Sequence, residues 1–456
     1  MVVEAHRPLP VLPRDTAYTA TMDREIYAQR RVALLERMGE GVAILPAAPV
    51  HRRNRDVEYL YRPDSDLFYL TGFDEPQAVC LLIPGRTEGP YVLFVQPRDP
   101  EQEVWTGRRA GVEGAREQFA ADEAHPVAEI DQVLPTYLEN AERLYYTFGK
   151  DEVFDRRVVR WLNAARAKAR QGVRAPRMIV DVDEVLHEMR LVKGPAEIAT
   201  LERAAAITAE AHLRAMAGTR PGRFEYQIRA ELEYVFQRSG AHSPGYPSIV
   251  ASGPNACTLH YVDNDRQMAA GDLLLVDAAA EYGYYTADVT RTWPVSGRYS
   301  GPQRDCYEVV LAAQVAAIAQ VVAGLRWDAP HKAAVEVLAQ GMLDLGLLSG
   351  SLAEVVEKEQ YKRFYMHRTG HWLGMDVHDV GDYKAGGEWR PLEAGMVLTV
   401  EPGLYIPAAD DVDARFHNIG IRIEDDCLVT ADGGPRILTA AAPKTVAEVE
   451  ATVGQG

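Results

Sequence analysis

The chain has 456 residues, 47% of them hydrophobic, and a formal net charge of −17. That length exceeds what one hydrophobic core usually serves, so two domains are expected, and the acidic balance excludes a nucleic-acid backbone or an anionic membrane as the main partner. Four widely separated cysteines exclude a disulfide framework and a cysteine zinc site; with no signal-peptide core and no apolar run of spanning length, a cytoplasmic protein is expected.

Residues 1–20 read as a Pro-rich, mobile leader. Residues 23–38 have helical composition closed by Gly39 and Gly41, and strands are predicted at 42–45, 67–70, 78–83 and 91–95. A further helix is predicted over 151–170. This alternation suggests an N-terminal α/β domain over 1–193, with Gly194-Pro195 as the boundary. The second domain, 194–456, reads as helices over 195–217 and 224–238, a strand near 248–251, a hairpin over 272–293 and helices over 302–325 and 331–346. The segments 364–367, 371–377, 396–401 and 419–429 are predicted strands. The overall class is α/β (α+β), its second half a mixed sheet covered by helices.

The hairpin carries the first chemistry. With Tyr282-Gly283 as its turn, Asp277 falls directly opposite Asp288, a destabilising juxtaposition unless positive charge lies between them. Asp277 ends the apolar run Leu273-Leu274-Leu275-Val276, the mark of a buried strand, and a buried carboxylate is costly unless paired or metal-bound. Downstream, MHRTGHWLGMDVHDVG places histidines at 367, 371 and 378, and no Glu follows His367 as a helical zinc-peptidase motif requires. Glu401 closes an apolar strand before Pro402-Gly403. In IGIRIEDDCLV, alternation puts Arg422 beside Glu424, where it can hold a carboxylate by a bidentate pair. Four carboxylates with one or more imidazoles suit hard or borderline divalent ions such as Mn²⁺. Two such ions roughly 3.5–4 Å apart would lower the pKa of a shared water from about 15.7 towards neutrality, which is hydrolytic chemistry.

Asp277, the step to Asp288, HRTGHWLGMDVHD, EPGLYI and GIRIEDD resemble the metallopeptidase family with the pita-bread fold, and within it the aminopeptidase P group. YRPDSDLFYLTGFDEPQAV and HEMRLVKGPAEI extend the likeness into the first domain. The resemblance implies a pita-bread catalytic domain with a mainly antiparallel sheet, and release of the N-terminal residue from Xaa-Pro-Yaa peptides by a hydroxide bridging two divalent ions. It implies Mn²⁺, with Zn²⁺ or Co²⁺ as other candidates. Asp277 would bind one ion, Asp288 and Glu424 would bridge both, and His371 and Glu401 would complete the second. Glu401 would also shuttle the proton. His260, His367 and His378 would hold the substrate carbonyl and the tetrahedral intermediate, Arg422 would support the carboxylates, and Tyr246, Leu259, Val377 and His378 would line the proline pocket. A homo-oligomer, dimer or tetramer, is expected.

One departure stands beside the first histidine, where the family often has a small or apolar residue and this chain has Arg368; alternation aims it away from His367. The nearest rival is prolidase, which cleaves only Xaa-Pro dipeptides. Methionine aminopeptidase lacks the first domain. A rival of another class is a metal-free relative that only binds peptides or proteins, against which stand all five retained ligands.

Overall fold

The computed structural model describes residues 22–456, so the leader expected at 1–20 lies outside the described residues. The chain forms two compact units that divide between Arg190 and Leu191.

In the first unit the helix Arg24–Met38 starts where the Asp23 side chain accepts the Glu25 N–H, and it stops at Gly39. A six-stranded sheet follows, in the order Glu123–Pro126, Tyr91–Val95, Val79–Leu82, Val42–Pro46, Arg143–Tyr145, Met178–Val180. Val42–Pro46 runs antiparallel to one neighbour and parallel to the other, so the sheet is mixed. Helices Ile130–Tyr137 and Glu152–Ala167 cover it through Leu134, Val158 and Trp161, which pack with Ile44, Leu81 and Phe94. Residues 67–70 are helical, not a strand. Asp64 caps the helix Ser65–Thr71 by accepting the Leu67 N–H at 2.9 Å, and Gly72 ends it in the left-handed region at φ +67°. All seven residues are buried, so no polar face betrays the helical period.

The second unit is built on the strand Leu273–Asp277, flanked antiparallel by Ile249–Ser252 and Thr290–Pro294. Leu274 and Val276 pack with Ala204 and Ala211 of the helix Pro195–Gly218 and with Ile228, Leu232 and Phe236 of the helix Glu225–Arg238. Leu275 meets Ile249 and Tyr405 in a separate cluster. Burial on both faces accounts for the unbroken apolar run. Val397–Val400 pairs with Asp425–Leu428, and Gly403–Ile406 with Ile419–Arg422, both antiparallel. Helices Gly301–Ile318 and Ala329–Asp344 bring Tyr307, Val310, Leu338 and Met342 against Leu404 and Ile421. The helix expected to reach 325 ends at Ile318, where the chain turns and Val321 packs back into the core.

Three predicted strands of this unit are absent or interrupted, the first at 364–367, where a helical turn over Gln360–Arg363 gives way to irregular chain. Residues 367–381 have no regular structure beyond a bridge between Trp372 and Leu398. Backbone hydrogen bonds still lay this segment along Val397–Val400: Leu373 N–H to Val397 O, Thr399 N–H to His371 O and Glu401 N–H to Thr369 O. A Cβ at Gly370 would lie 2.0 Å from the Thr399 carbonyl oxygen, so the backbones approach more closely than a side chain permits and the pleat is lost. The span 419–429 likewise breaks at Ile423-Glu424 between two strands.

Candidate metal centre

The hairpin turn is Gly283-Tyr284, with φ of +57° and +62°, in place of Tyr282-Gly283. Two successive positive φ values are what a type I′ turn demands, and a tyrosine there is uncommon. Tyr282 therefore faces Tyr285, and Asp277 faces Thr290 instead of Asp288. The pairing has moved by two residues, which leaves every side chain on its original face and makes Asp288 the diagonal neighbour of Asp277. Their convergence survives: the Tyr246 hydroxyl lies 2.6 Å from Oδ1 of each.

Three other elements close on this pair. Arg422 donates from Nη2 to Asp277 Oδ2 at 2.6 Å, with its side chain 4% exposed. Its expected partner was Glu424, but the break after Arg422 turns Glu424 aside; the two share Thr290, whose hydroxyl donates to Glu424 Oε2 at 2.6 Å and accepts from Arg422 Nε at 3.0 Å. His371 Nε2 lies 3.3 Å from Asp288 Oδ2 and 3.6 Å from Glu401 Oε1. Ligand atoms of Asp288, His371 and Glu424 all lie within 4.8 Å of one another. Asp277, Asp288, His371, Glu401 and Glu424, far apart in sequence, thus meet at one place.

The electrostatics show what the place lacks. Burial, reinforced by Asp288, Glu401 and Asp277, pushes the Glu424 carboxyl well above the ordinary range. Burial also raises Glu401, to about 7, against the opposing charges of His371 and Arg422. For His371 burial acts downward, but the Asp288 hydrogen bond and the Glu401 charge outweigh it and lift the imidazole to about 9. Asp426, whose Oδ2 accepts the Asp288 N–H at 3.1 Å, is driven up by burial and by Asp288. Acids that hold protons and a histidine that holds charge mark an excess of negative charge in low dielectric. An oxygen-rich set with one imidazole fits divalent cations of the hard or borderline kind.

The outer histidines line the same region. His367 accepts or donates through Nε2 with the Tyr405 hydroxyl at 2.9 Å, and its Nδ1 is 3.7 Å from Glu401 Oε2; burial and the Arg422 charge lower it to about 3. The His378 ring stands edge-on to His371 at 4.3 Å, and burial and His371 lower it. The charge of His260 acts on both His367 and His378. His260 is exposed, while Leu259, packed beside Ile249, and Val377 are half-buried. Arg368 points elsewhere, over the Trp389 ring at 5.4 Å.

Two contributors escape a reading of the sequence alone. Tyr405 accepts from Arg422 Nη1 at 2.9 Å and so joins Arg422 to His367. Alternation in EPGLYI puts it on the face of Gly403, which pairs with Arg422, and a Cβ at Gly403 would sit 2.5 Å from the Tyr405 hydroxyl. That glycine was the available signal. Thr290 is the other, visible only once the hairpin register is known.

Residues 199–431 match the family model of metallopeptidase family M24, and residues 27–146 match that of the aminopeptidase P N-terminal domain. The chain is 43% identical to an Xaa-Pro aminopeptidase of Haemophilus influenzae over 96% of its own length and 99% of the relative's. It is similar to the structure of Pseudomonas aeruginosa aminopeptidase PepP, with 52% identity, a TM-score of 0.93, and coverage of 94% of this chain and 98% of that one. Zn-substituted Escherichia coli aminopeptidase P in complex with product gives 42%, 0.92, 95% and 98%. A centre rich in buried carboxylates, on a pita-bread platform preceded by an α/β unit, accords with these matches: the chain belongs to metallopeptidase family M24, in its aminopeptidase P group.

Proposed function

We propose that this protein is an Xaa-Pro aminopeptidase that hydrolyses Xaa-Pro-Yaa peptides before the proline, using two divalent ions held by Asp277, Asp288, His371, Glu401 and Glu424. The observation that carries the reading is the convergence of these five side chains with an uncompensated negative charge. Bound ions would supply Lewis acidity at the scissile carbonyl and bring the pKa of water towards neutrality. The rest is work for the protein. Arg422 fixes Asp277, and Thr290 fixes Glu424, so both carboxylates are aimed before any ion arrives. Glu401, a carboxyl that takes up a proton near pH 7 without metal, has the character of a proton shuttle. His260, His367 and His378, the last two held neutral near pH 7, offer donors to the substrate carbonyl and the tetrahedral intermediate.

Proline at the second position removes the N–H of the scissile amide and fixes φ near −65°, so a strand-like substrate mode fails and an apolar pocket can select the ring. Tyr246, Leu259 and Val377 form that pocket in this reading, with His378 at its edge. The reading takes Mn²⁺ as the native ion, the protein as a cytoplasmic homo-oligomer, and 1–193 and 194–456 as its functional domains. No helix among the described residues is long and apolar enough to cross a membrane.

The deciding experiment compares Ala-Pro-Ala, Ala-Pro and Ala-Ala-Ala with Mn²⁺ present. Cleavage of Ala-Pro-Ala far ahead of Ala-Ala-Ala is expected, by more than the roughly 1–3 kcal/mol that one methylene gives. Equal kcat/KM for those two would refute proline selectivity. Cleavage of Ala-Pro alone would make the protein a prolidase, and no cleavage with less than one equivalent of bound metal would make it a binding protein.

A further inference from the structure

His378 is exposed and sits in a segment without regular structure, yet its ring stands edge-on to His371 with centroids 4.3 Å apart. Its chain neighbour Asp379 is turned the other way. Asp379 Oδ2 accepts from Lys193 Nζ at 2.8 Å, and each side chain is 1% exposed. The pair is held from both ends. Lys193 donates its backbone N–H to Gly395 O and its ammonium also reaches Leu191 O at 3.3 Å; Asp379 donates its backbone N–H to Trp372 O. Gly374 makes the room: a Cβ there would stand 2.2 Å from Asp379 Oδ2 and 2.9 Å from Lys193 Cε.

A buried ion pair is a poor source of net stability, because desolvating two charges offsets most of their attraction; well-packed apolar residues of similar volume often do as well. Its distinctive capacity is to fix one geometry. We propose that Lys193 and Asp379 are positioning residues: the buried pair pins the 371–381 segment so that His378, one residue away, presents its ring to the substrate. This rests on the role given to His378 above. Lys193 takes no part in the chemistry.

The test separates positioning from ordinary stability. Lys193→Met alone should lower both thermal stability and kcat, since it strands Asp379 as a buried unpaired charge. The neutral pair Lys193→Met/Asp379→Leu should recover stability, keep full metal content and leave KM for Ala-Pro-Ala little changed, while kcat stays down by roughly 10- to 100-fold, the scale of a misplaced catalytic group. Recovery of kcat together with stability would overturn the proposal. Asp379→Asn, which strands the buried Lys193 charge beside a neutral amide and so loosens the pair, gives a second reading: a comparable loss of kcat is expected, and wild-type kcat would count against the pair. In a His378→Ala background the neutral pair should add almost nothing, because both act through one ring. Full additivity there would defeat the positioning role alone, whereas a silent His378→Ala would defeat the assignment of His378 itself and the proposal with it.

Discussion

Asp66, Asp183 and His187 in the N-terminal unit bring three potential ligand atoms within 4.8 Å of one another, and Asp288, His371 and Glu424 in the second unit do the same. Geometry does not distinguish them; the charges around them do. Arg190 Nη1 reaches Asp66 Oδ1 at 2.7 Å, and Lys150 Nζ lies 3.2 Å from Asp66 and 3.0 Å from Asp183. Burial would raise Asp66, but the His187 hydrogen bond and the Arg190 and Lys150 charges hold it well below the usual carboxylate range, the residual repulsion falling on Asp64, raised to about 6 by burial and by Asp66. In the second unit Glu401 and Glu424 are pushed up instead. One cluster carries its own cations and knots the unit together; the other has the charge that divalent cations would balance in the proposed reading. Ligand-like spacing therefore identifies a metal site only when the local charge is left unbalanced.

The comparison is broken most forcefully at its two centres. Asp288→Asn should reduce turnover by more than about 10³-fold, beyond the usual loss for a single stabilising donor, and should lower divalent metal content in the folded protein. Two tightly held ions together with near-normal turnover in that variant would end the bridging role of Asp288. Asp66→Asn should do the opposite: it removes the buried charge shared by Arg190 and Lys150, at a cost of about 3–5 kcal/mol in thermal or denaturant unfolding, with metal content and activity per folded molecule unchanged. A loss of bound metal in that variant would erase the contrast between the clusters.

Within the metal centre, His378→Ala should cost about 10²–10³ in kcat, near 2.7–4 kcal/mol, without emptying the site. A parallel fall in metal content would make His378 a ligand. The mildest test uses pH. Glu401, raised to about 7, and His371, raised to about 9, both bind protons more tightly in the folded protein than in the unfolded chain. Their contribution is fully present at low pH and is lost as pH rises through 7 and then 9, so the metal-free protein should lose stability, of order 5 kcal/mol, between about pH 5 and pH 9. Added Mn²⁺ replaces those protons and should flatten the slope of Tm against pH. Metal-free stability that rises over this interval would contradict the charge excess.

The cluster of Asp277, Asp288, Glu401 and Glu424 and the two-unit architecture were legible from sequence because buried acids at strand ends contradict the pattern around them, and a contradiction is easy to see. Errors fell where the physics is not periodic. Residues 67–70 are buried on all sides, so an apolar run could not declare itself a helix. The turn at Gly283-Tyr284 depends on a tyrosine accepting positive φ, which side-chain chemistry does not announce. The segment around His371 departs from a strand because Gly370 lets two backbones meet at a distance no alternation rule encodes. Arg422 was correctly tied to a carboxylate, but the chain break that follows it gave it Asp277 and not Glu424.

Arg422 donates both to Asp277 and to the Tyr405 hydroxyl, which in turn shares a hydrogen bond with His367, so the four side chains form one continuous chain with successive separations of 2.6, 2.9 and 2.9 Å. It runs from the floor of the ion site to a side chain on the substrate's side. Neutralising the charge at one end weakens or strengthens every link between, because each donor is polarised by the next acceptor. In the proposed reading cation loading and substrate orientation would then be coupled through this chain: a change in ion affinity would be felt at the imidazole, and a peptide that draws on that imidazole would alter ion affinity in return.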